Sequence, residues 1–161
     1  MSSTQRVRPL ALGIFWQADR IFVTKGYDAV KDQIFYRPLG GGIEFGERGP
    51  DALVREVMEE IGALVTDLQY VTTFENIFTY RGEPGHEIVL LYEGRFVDPT
   101  WYGRDVEVGL EPTDDPPLMH GVWMRLDEFG VEAPLSPDGL LEVLRSHTPK
   151  SGASRPFGDG M

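Results

Sequence analysis

Apolar runs without a helical repeat dominate the first part of the chain and predict β-strands. Residues 7–16 form a long β-rich run, and residues 20–24 form a second one after a short polar segment. Two such runs joined by a few polar residues are typical of a hairpin. Residues 34–37 predict a third, short strand that ends at Pro38, and a polar connection over residues 27–33 precedes it.

A helical repeat of apolar residues follows and predicts an α-helix over residues 50–61. Its apolar side chains recur at intervals of three and four residues, as on the buried face of a helix. They are Leu53, Val54, Val57, Met58 and Ile61. Pro50 suits the first turn, Asp51 suits the positive end of the helix, and Gly62 suits the position after its last turn.

The rest of the chain alternates between β-rich runs and turn signals. Predicted strands cover residues 64–74, 77–80, 86–96 and 121–126, and residues 81–85 predict a turn. The acidic segment 98–117 is rich in Gly and Pro and predicts a long flexible loop. A second helix is predicted over residues 136–147, with Ser136 as its N-cap and an apolar face of leucine and valine.

These elements predict one α/β domain in which a mixed sheet has helices on both sides. A chain of 161 residues with 41% apolar content is long enough and apolar enough for a single core. The domain is predicted over residues 1–148. Residues 149–161 are rich in Gly, Ser and Pro and predict a disordered tail.

The charge of the chain limits the partners it can bind. Its formal net charge is −11, which argues against a nucleic-acid polymer or an anionic membrane, because both require a basic surface. A small phosphorylated substrate remains compatible, since a bound metal ion can invert the local field. We therefore expect a small-molecule phosphorylated substrate, no nucleic-acid polymer and no membrane.

Cysteine is absent, and no apolar run is long enough for a membrane helix. Disulfides, thiolate chemistry and cysteine-based zinc sites are therefore excluded. The apolar start of the chain is interrupted at once by Gln17, Asp19 and Arg20, so it predicts a buried strand and not a signal peptide. A cytoplasmic location is the expectation that fits these features.

The predicted first helix carries a crowded group of acids. Glu56, Glu59 and Glu60 lie at i, i+3 and i+4 and therefore share one helix face. Like charges at this spacing repel each other by a few tenths of a kcal/mol per exposed pair, roughly. A divalent cation such as Mg²⁺ would remove that repulsion, because it binds carboxylate oxygens together with substrate phosphates. The group therefore indicates a metal site for a phosphorylated substrate.

Three glycines precede the acids and allow a close approach of the backbone. Gly40, Gly41 and Gly42 follow the predicted third strand, where the chain can turn sharply next to a ligand. Without them, a solvated helix face paired with Arg55 would be the better interpretation of the acids. Together, the glycines and the acids favour the metal site.

Residues 41–63 resemble the Nudix box, Gly-x5-Glu-x7-Arg-Glu-U-x-Glu-Glu-x-Gly-U, in which U is a bulky aliphatic residue. Gly41 is followed after five residues by Glu47, and after seven more by the segment from Arg55 to Ala63. The spacing of the box is matched throughout, and Ala63 is its one departure because it is smaller than the usual aliphatic residue. The box covers 23 residues, and the order of the strands around it gives weaker support.

This resemblance implies a Nudix-type α/β/α sandwich and a hydrolase that cleaves a nucleoside diphosphate linked to another group. Mg²⁺ or Mn²⁺ would be the cofactor. By similarity, Glu56, Glu59 and Glu60 bind the metal, and the backbone carbonyl of Gly40 adds a ligand. Glu56 or Glu59 acts as the base.

The same resemblance places Glu47 and Arg55 among the catalytic residues, in an orienting role. The expected contacts to substrate come from Arg37, Gly41 and Gly42. One more acid from a distant loop completes the metal site in many relatives. Spacing does not choose among the candidates Glu83, Glu87, Glu107, Glu111, Asp114 and Asp115.

Three functions compete at this point. The first is a pyrophosphohydrolase acting on a nucleotide, an oxidised nucleotide or a nucleotide sugar. The second is a domain that binds a nucleotide without cleaving it, but none of the three metal-binding acids is lost. The third is an isoprenoid diphosphate isomerase, which usually enlists a cysteine. Dimers are common among relatives, and nothing in the sequence selects or excludes a homodimer.

Overall fold

Six strands and two α-helices make up the part of the chain that the computed structural model describes, residues 5–103 and 121–147. The strands are β1 (Val7–Gln17), β2 (Arg20–Asp28), β3 (Gln33–Gly42), β4 (Val65–Tyr80), β5 (Glu83–Phe96) and β6 (Gly121–Arg125). The helices are α1 (Gly49–Ile61) and α2 (Leu140–Ser146), and two 3₁₀ turns cover Pro99–Trp101 and Leu126–Glu128.

The strands form one mixed sheet in the order β4-β5-β1-β3-β2-β6. β1 and β5 run parallel, and the other pairs are antiparallel. β1 lies inside the sheet, and its residues are buried without interruption from Leu10 to Trp16. This explains its continuous apolar run, since a strand covered on both faces has no polar side.

Alternate residues of β1 serve two separate cores. Ala11 and Phe15 pack with the apolar side of α1, including Leu53. Leu12 belongs to the other core, which includes Leu140 and Leu144 of α2. Successive side chains of a strand point to opposite faces, so the two helices cover opposite faces of the sheet. The predicted α/β sandwich is confirmed.

The sheet divides into two arms at one end, and this division creates a cleft. β1 pairs with β3 over Leu10 to Gly13 and with β5 from Val7 onwards. The first part of β3, residues 33–38, pairs with β2 alone. One arm therefore consists of β2 with the start of β3, and the other consists of β4 with the start of β5.

The tips of the two arms are joined through Asp28. Its buried carboxylate accepts the N–H of Val30 (2.9 Å) in its own arm and that of Arg81 (3.0 Å) in the other. The bond from Arg81, followed by those from Lys31 and Val30, holds the pKa of Asp28 below its ordinary value. Lys31 also donates its Nζ to the carbonyl of Thr79 at 2.7 Å. The cleft is therefore bridged at its far end.

The predicted ends of the first strands were wrong. β2 continues through Asp28 instead of ending at residue 24, and β3 begins at Gln33 and continues past Pro38 to Gly42. Pro38 lies where β3 changes partner, since Pro38 pairs with β2 and the next residue pairs with β1. The missing N–H of proline thus falls at the change of partner, where it does not end the strand.

β4 is one continuous strand, although two were predicted. Its long pairing with β5 carries Glu75 and Asn76 through the predicted gap. The turn between β4 and β5 is limited to Arg81 and Gly82, which have φ angles of 52° and 82°. Two residues with positive φ form the tight hairpin loop that suits the twist of antiparallel strands. The predicted five-residue turn was therefore too long.

The second helix is shorter than predicted, and Ser136 is not its N-cap. α2 begins at Leu140, after Gly139 with a φ of 91°. The segment before it is held by β3: Tyr36 donates its N–H to Pro134, and Ser136 donates its N–H to Tyr36 (2.7 Å). This pairing occupies the backbone that would have formed the first turn of the helix.

Part of the predicted loop over residues 98–117 is ordered as the 3₁₀ turn Pro99–Trp101. Its residues from 104 onwards lie outside the described part of the chain, as does the predicted tail over residues 149–161. Neither α-helix within residues 5–103 and 121–147 has the length and apolar character to cross a membrane.

Candidate active site

The glycines after β3 bring the backbone against β1 and α1. Gly40 has a φ of 132°, and a Cβ there would lie 2.1 Å from the carbonyl oxygen of Ala11. A Cβ on Gly41 would lie 2.5 Å from the carboxyl carbon of Glu56. A side chain at either position would displace the turn or the acid, so glycine at positions 40 and 41 has a steric cause.

Arg55 joins the predicted orienting residues to the acids of α1. It donates Nε and Nη2 to the two carboxylate oxygens of Glu47, both at 2.9 Å, and Nη2 also reaches the carbonyl of Gly42 at 2.9 Å. Its Nη1 lies 3.1 Å from Glu56 Oε1 and 3.3 Å from Glu59 Oε1. Such a two-pronged pair fixes a geometry as well as a charge.

The same contacts shift the pKa values of Glu47 and Arg55. The hydrogen bonds from Arg55 lower the pKa of Glu47 to about 2, and the N–H of Glu44 (3.1 Å) acts in the same direction. The carboxylates around Arg55, with Glu47 first, raise the pKa of its guanidinium. Glu47 therefore stays ionised over the whole range in which enzymes normally work.

We predict that Glu47 stabilises the fold in a pH-dependent way. Because its folded pKa is lowered, its contribution is present above the unfolded value of about 4.3 and is lost as the pH falls towards 2. The difference in unfolding free energy between the wild type and Glu47→Gln should therefore shrink over that window. Urea unfolding at pH 6, 4 and 2.5 measures it, and Glu142→Gln on the exposed side of α2 is the control. A constant difference would contradict the assignment.

Glu60 lies on the other side of the acidic group and points to the glycines. The N–H of Gly40 donates to its Oε1 at 3.3 Å. Burial raises the pKa of Glu60 to about 8, and the charges of Glu56 and Glu59 act in the same direction. The charge of Arg37 and the bond from Gly40 oppose this shift. The sequence-predicted residues Gly40, Arg37 and Glu60 are thus brought together.

The acidic group fits a divalent cation by its chemistry. No three His, Asp or Glu side chains within residues 5–103 and 121–147 are already arranged as a ligand set. Arg55 holds Glu56 and Glu59, while Glu60 is turned towards Gly40. Their carboxylates are nevertheless oxygen donors with unbalanced charge, and Gly41 leaves room for Glu56. Such donors suit Mg²⁺ or Mn²⁺.

A cleft of about 790 Å³ lies between the two arms of the sheet. Four basic side chains line it, namely Arg8, Lys25, Lys31 and Arg37, together with three acidic ones, Asp28, Glu87 and Asp138. Arg37 connects the cleft to the acids through its effect on Glu60. Arg8 reaches the glycines, because its Nη2 lies 3.3 Å from the place where a Cβ of Gly42 would be. Arg37 and Arg8 therefore place two positive charges of the cleft next to the acidic group and the glycines.

Sequence reasoning missed Arg8, Lys25 and Lys31. Each was part of an ordinary strand or connection, and only the pairing of β1 with β3 and β5 brings Arg8 to the cleft. Asn76 also lies in the cleft wall; it is 4% exposed and donates to Glu87 at 3.4 Å. The register between β4 and β5 places Asn76 opposite Glu87, and local sequence patterns do not determine that register.

The other candidate acids have different positions. Glu87 lines the cleft, and Glu83 lines a neighbouring cavity of about 730 Å³. Glu107, Glu111, Asp114 and Asp115 lie outside the described residues. Whether a distant acid completes the site therefore stays a prediction.

The comparisons with known proteins identify the family of the chain. A profile of the NUDIX domain matches residues 6–145, and the chain belongs to this family. A similar curated protein is the RNA pyrophosphohydrolase of Wolbachia pipientis subsp. Culex pipiens (strain wPip), 26% identical over 141 residues that cover 83% of each chain. The expected enzyme class, a Nudix pyrophosphohydrolase, is confirmed.

Solved structures show the same fold at low identity. A NUDIX hydrolase from Nitrosomonas europaea superposes with a TM-score of 0.64, at 16% identity and with 94% of each chain covered. A MutT NUDIX hydrolase from Burkholderia pseudomallei gives a TM-score of 0.57 at 16% identity, covering 89% of this chain and all of that one. The predicted fold is therefore confirmed, and the profile match over residues 6–145 confirms the predicted family.

Proposed function

We propose that this protein uses Mg²⁺ or Mn²⁺ to hydrolyse the pyrophosphate linkage of a nucleoside diphosphate joined to another group. One observation carries the proposal: Arg55 contacts Glu47, Glu56 and Glu59, and the neighbouring Glu60 feels the charge of Arg37, which lines the cleft. The acids suit a cation, and Arg37 and Arg8 of the cleft suit an anionic substrate. The two charges are adjacent, as a metal-assisted phosphate reaction requires.

The cation would be held by Glu56, Glu59 and Glu60, with the Gly40 carbonyl as a further ligand. Once bound, it supplies Lewis-acid stabilisation of the charge on the phosphate oxygens. Arg55 and Glu47 are positioning residues that fix Glu56 and Glu59 through the contacts described above. The first helix supplies the rigid support, because its apolar side is buried against the sheet.

The reaction needs a proton acceptor as well as charge stabilisation. The oxygen of a water molecule forms a bond to phosphorus, the bond from that phosphorus to the bridging oxygen breaks, and the water proton passes to a carboxylate. Glu56 and Glu59 are the two candidates for this base, since both lie on the side of α1 that Arg55 holds. Arg37 would bind the phosphates from the cleft side.

The 5′ end of an RNA is a second candidate substrate. The similar Wolbachia protein is named an RNA pyrophosphohydrolase, and Arg8, Lys25, Lys31 and Arg37 supply positive side chains to the lining of the cleft. The net charge of −11 led to the expectation that no nucleic-acid polymer binds. Net charge describes the long-range field, whereas contacts to a terminal triphosphate depend on the few side chains that line the cleft.

A substrate panel tests the proposal. Nucleoside triphosphates, oxidised nucleotides, nucleotide sugars, dinucleoside polyphosphates and a 5′-triphosphorylated RNA are incubated with Mg²⁺ or Mn²⁺, and phosphate or pyrophosphate release is measured. We expect metal-dependent release from at least one class. Release without added metal in chelator, or none from any class, would contradict the proposal. Binding without release would favour a nucleotide-binding domain that does not cleave.

A further inference from the structure

Two side chains from one short segment link the tips of the two arms. Asp28 ends β2, and Lys31 lies in the connection from β2 to β3. Their partners in the other arm are backbone atoms, namely the N–H of Arg81 and the carbonyl oxygen of Thr79. We call these two contacts the bridge. Because the second arm contributes only backbone atoms, the bridge depends on the side chains of Asp28 and Lys31 alone.

Asp28 divides its two carboxylate oxygens between the arms. Oδ1 accepts the N–H of Val30 at 2.9 Å and that of Lys31 at 3.1 Å, both from its own arm. Oδ2 accepts the N–H of Arg81 at 3.0 Å, from a residue 53 positions later in the chain. Asp28 is 3% exposed, and burial of a carboxylate is costly unless its oxygens accept hydrogen bonds. The carboxylate is therefore fully satisfied only while the two tips stay together.

The second arm offers backbone groups that its own hairpin does not pair. In a two-residue loop the closing hydrogen bond joins the flanking residues, so the N–H of Arg81, the first loop residue, has no partner within the hairpin. Thr79 lies opposite Pro84 of β5, which has no N–H to donate to the carbonyl of Thr79. Lys31 donates its Nζ to that carbonyl at 2.7 Å. The bridge thus supplies both groups with a partner.

The bridge is part of the cleft wall. Asp28, Lys31 and Thr79 all line the cleft, as Arg37 does. The acidic group lies near Arg37, because the charge of Arg37 acts on Glu60. A group attached to a diphosphate at the acidic site would therefore extend between the arms towards the bridge. The enclosed volume of about 790 Å³ is in the range of a site for one small molecule.

A ring contact between the arms does not depend on the bridge. Phe35 of β3 meets the edge of Tyr80 of β4, with ring centroids 5.7 Å apart and planes at 80°. This contact involves neither Asp28 nor Lys31. We therefore expect both arms to stay folded when the bridge is removed, with their separation less strictly fixed.

We propose that Asp28 and Lys31 are positioning residues that fix the separation of the arms and thereby limit the size of the group that the cleft accepts beside the diphosphate. This inference rests on the proposed function and narrows its substrate class to mononucleotides, against substrates that carry a second nucleoside. A cleft whose walls are fixed before binding has less freedom to lose when a ligand of the right size enters. A larger ligand must break the bridge or remain partly outside the cleft.

Two variants remove the bridge by different chemistry. Asp28→Asn has one acceptor oxygen in place of two, so it cannot serve the partners in both arms. Lys31→Met keeps a long side chain but has no donor. Asp98→Asn is the matched control, because Asp98 accepts the N–H of Thr100 at 2.9 Å within its own turn and does not line the cleft.

The binding measurement compares two ligands that resist hydrolysis. Calorimetry with Mg²⁺ gives the affinities for a methylene-bridged ATP analogue and for a methylene-bridged diadenosine tetraphosphate, which adds a second nucleoside. We expect the wild type to prefer the mononucleotide. Either bridge variant should reduce this preference on the order of 10-fold, the effect of one hydrogen bond to a charged group. Loss of the Lys31 charge alone would weaken both ligands and leave their ratio unchanged.

A distance measurement reports on the arms without any ligand. The chain has no cysteine, so Val30→Cys and Ile77→Cys place two spin labels at defined sites. These positions lie on opposite arms and are 68% and 70% exposed. We expect a narrow distribution of label distances in the otherwise unchanged protein and in Asp98→Asn. The distribution should be broader and longer in Asp28→Asn and in Lys31→Met.

The proposal is overturned if the ligand preference or the label distances are the same with and without the bridge. It is also overturned if the wild type binds the dinucleoside analogue as tightly as the mononucleotide, or binds neither. If Asp28→Asn does not fold, Lys31→Met decides.

The outcome separates the bridge from the proposed reaction. A protein that shows the change in ligand preference but hydrolyses nothing would retain the role of the bridge and lose the reaction. A protein that hydrolyses nucleotides but keeps its ligand preference in both variants would retain the reaction and lose the role of the bridge.

Discussion

Replacing Glu60 by glutamine is expected to lower metal-dependent turnover by on the order of 100-fold or more. Substitutions of residues that only orient metal ligands cost roughly 10–100-fold, so loss of a direct ligand should reach at least the upper end. Glutamine keeps the shape of the side chain and an oxygen that can accept the N–H of Gly40. The loss would therefore come from the charge and not from the packing. Steady-state rates over a Mg²⁺ titration measure it.

The same variant should be more stable than the wild type in chelator at high pH. The folded pKa of Glu60 is raised to about 8 from an unfolded value near 4.3. The contribution of protonated Glu60 to the free energy of unfolding is therefore fully present below a pH of about 4.3. It is lost as the pH rises through 8. The glutamine variant has no such loss, and its advantage should grow from pH 5 to pH 8.5 to about 1–3 kcal/mol.

Urea unfolding in EDTA at pH 5, 7 and 8.5 measures this advantage. Glu142→Gln, the same change on the exposed side of α2, should show neither the loss of turnover nor the gain in stability. Retained turnover in Glu60→Gln would contradict the proposed metal ligand. A stability difference that does not vary with pH would contradict the effect of burial on Glu60.

The second large effect is expected for Arg55→Lys, which should lower turnover roughly 10–100-fold although the charge is kept. The guanidinium of Arg55 donates to Glu47 through two nitrogens and also reaches Gly42, Glu56 and Glu59. A lysine ammonium is one compact charge and cannot reproduce this fork. The carboxylates of Glu47, Glu56 and Glu59 would still face a positive charge, but their orientations would no longer be fixed.

A double-mutant cycle with Glu47→Gln tests whether the pair acts as a unit. Each single variant should lower turnover, and the double variant should be no worse than the more damaging single one, because interacting residues do not behave additively. Arg145→Lys in the last turn of α2 is the matched control for the arginine change. Additive losses, or normal turnover in Arg55→Lys, would show that Arg55 does not orient the acids.

The candidate acidic site could be located from the sequence because its parts are close along the chain. Glu56, Glu59 and Glu60 share a helix face by their spacing alone, and the predicted helix differs from the observed Gly49–Ile61 by one residue at its start. Their neighbours Glu47 and Gly40 lie within the same short stretch. Local geometry was sufficient to predict that these groups lie close together. In the structure Arg55 contacts Glu47, Glu56 and Glu59, and Glu60 accepts the N–H of Gly40.

The strand ends were predicted less well because pairing partners decide them. Pro38 suggested the end of a strand, yet β3 continues because it changes from β2 to β1 at that point. Ser136 suggested the start of a helix, yet its N–H is bonded to Tyr36 of β3. In both cases a contact between distant residues outweighed a sound local preference.

The sequence by itself determined the family, the α/β class and the acidic helix beside a glycine turn, since each of these depends on residues that are neighbours along one segment. Only the tertiary structure decided which side chains line the cleft. The cleft of Arg8, Arg37, Phe35 and Phe78 draws on β1, β3 and β4, and its walls exist because the sheet divides where β1 and β3 part. Strand order and register decide which distant side chains share a cavity, and the local spacing of residues determines neither of them.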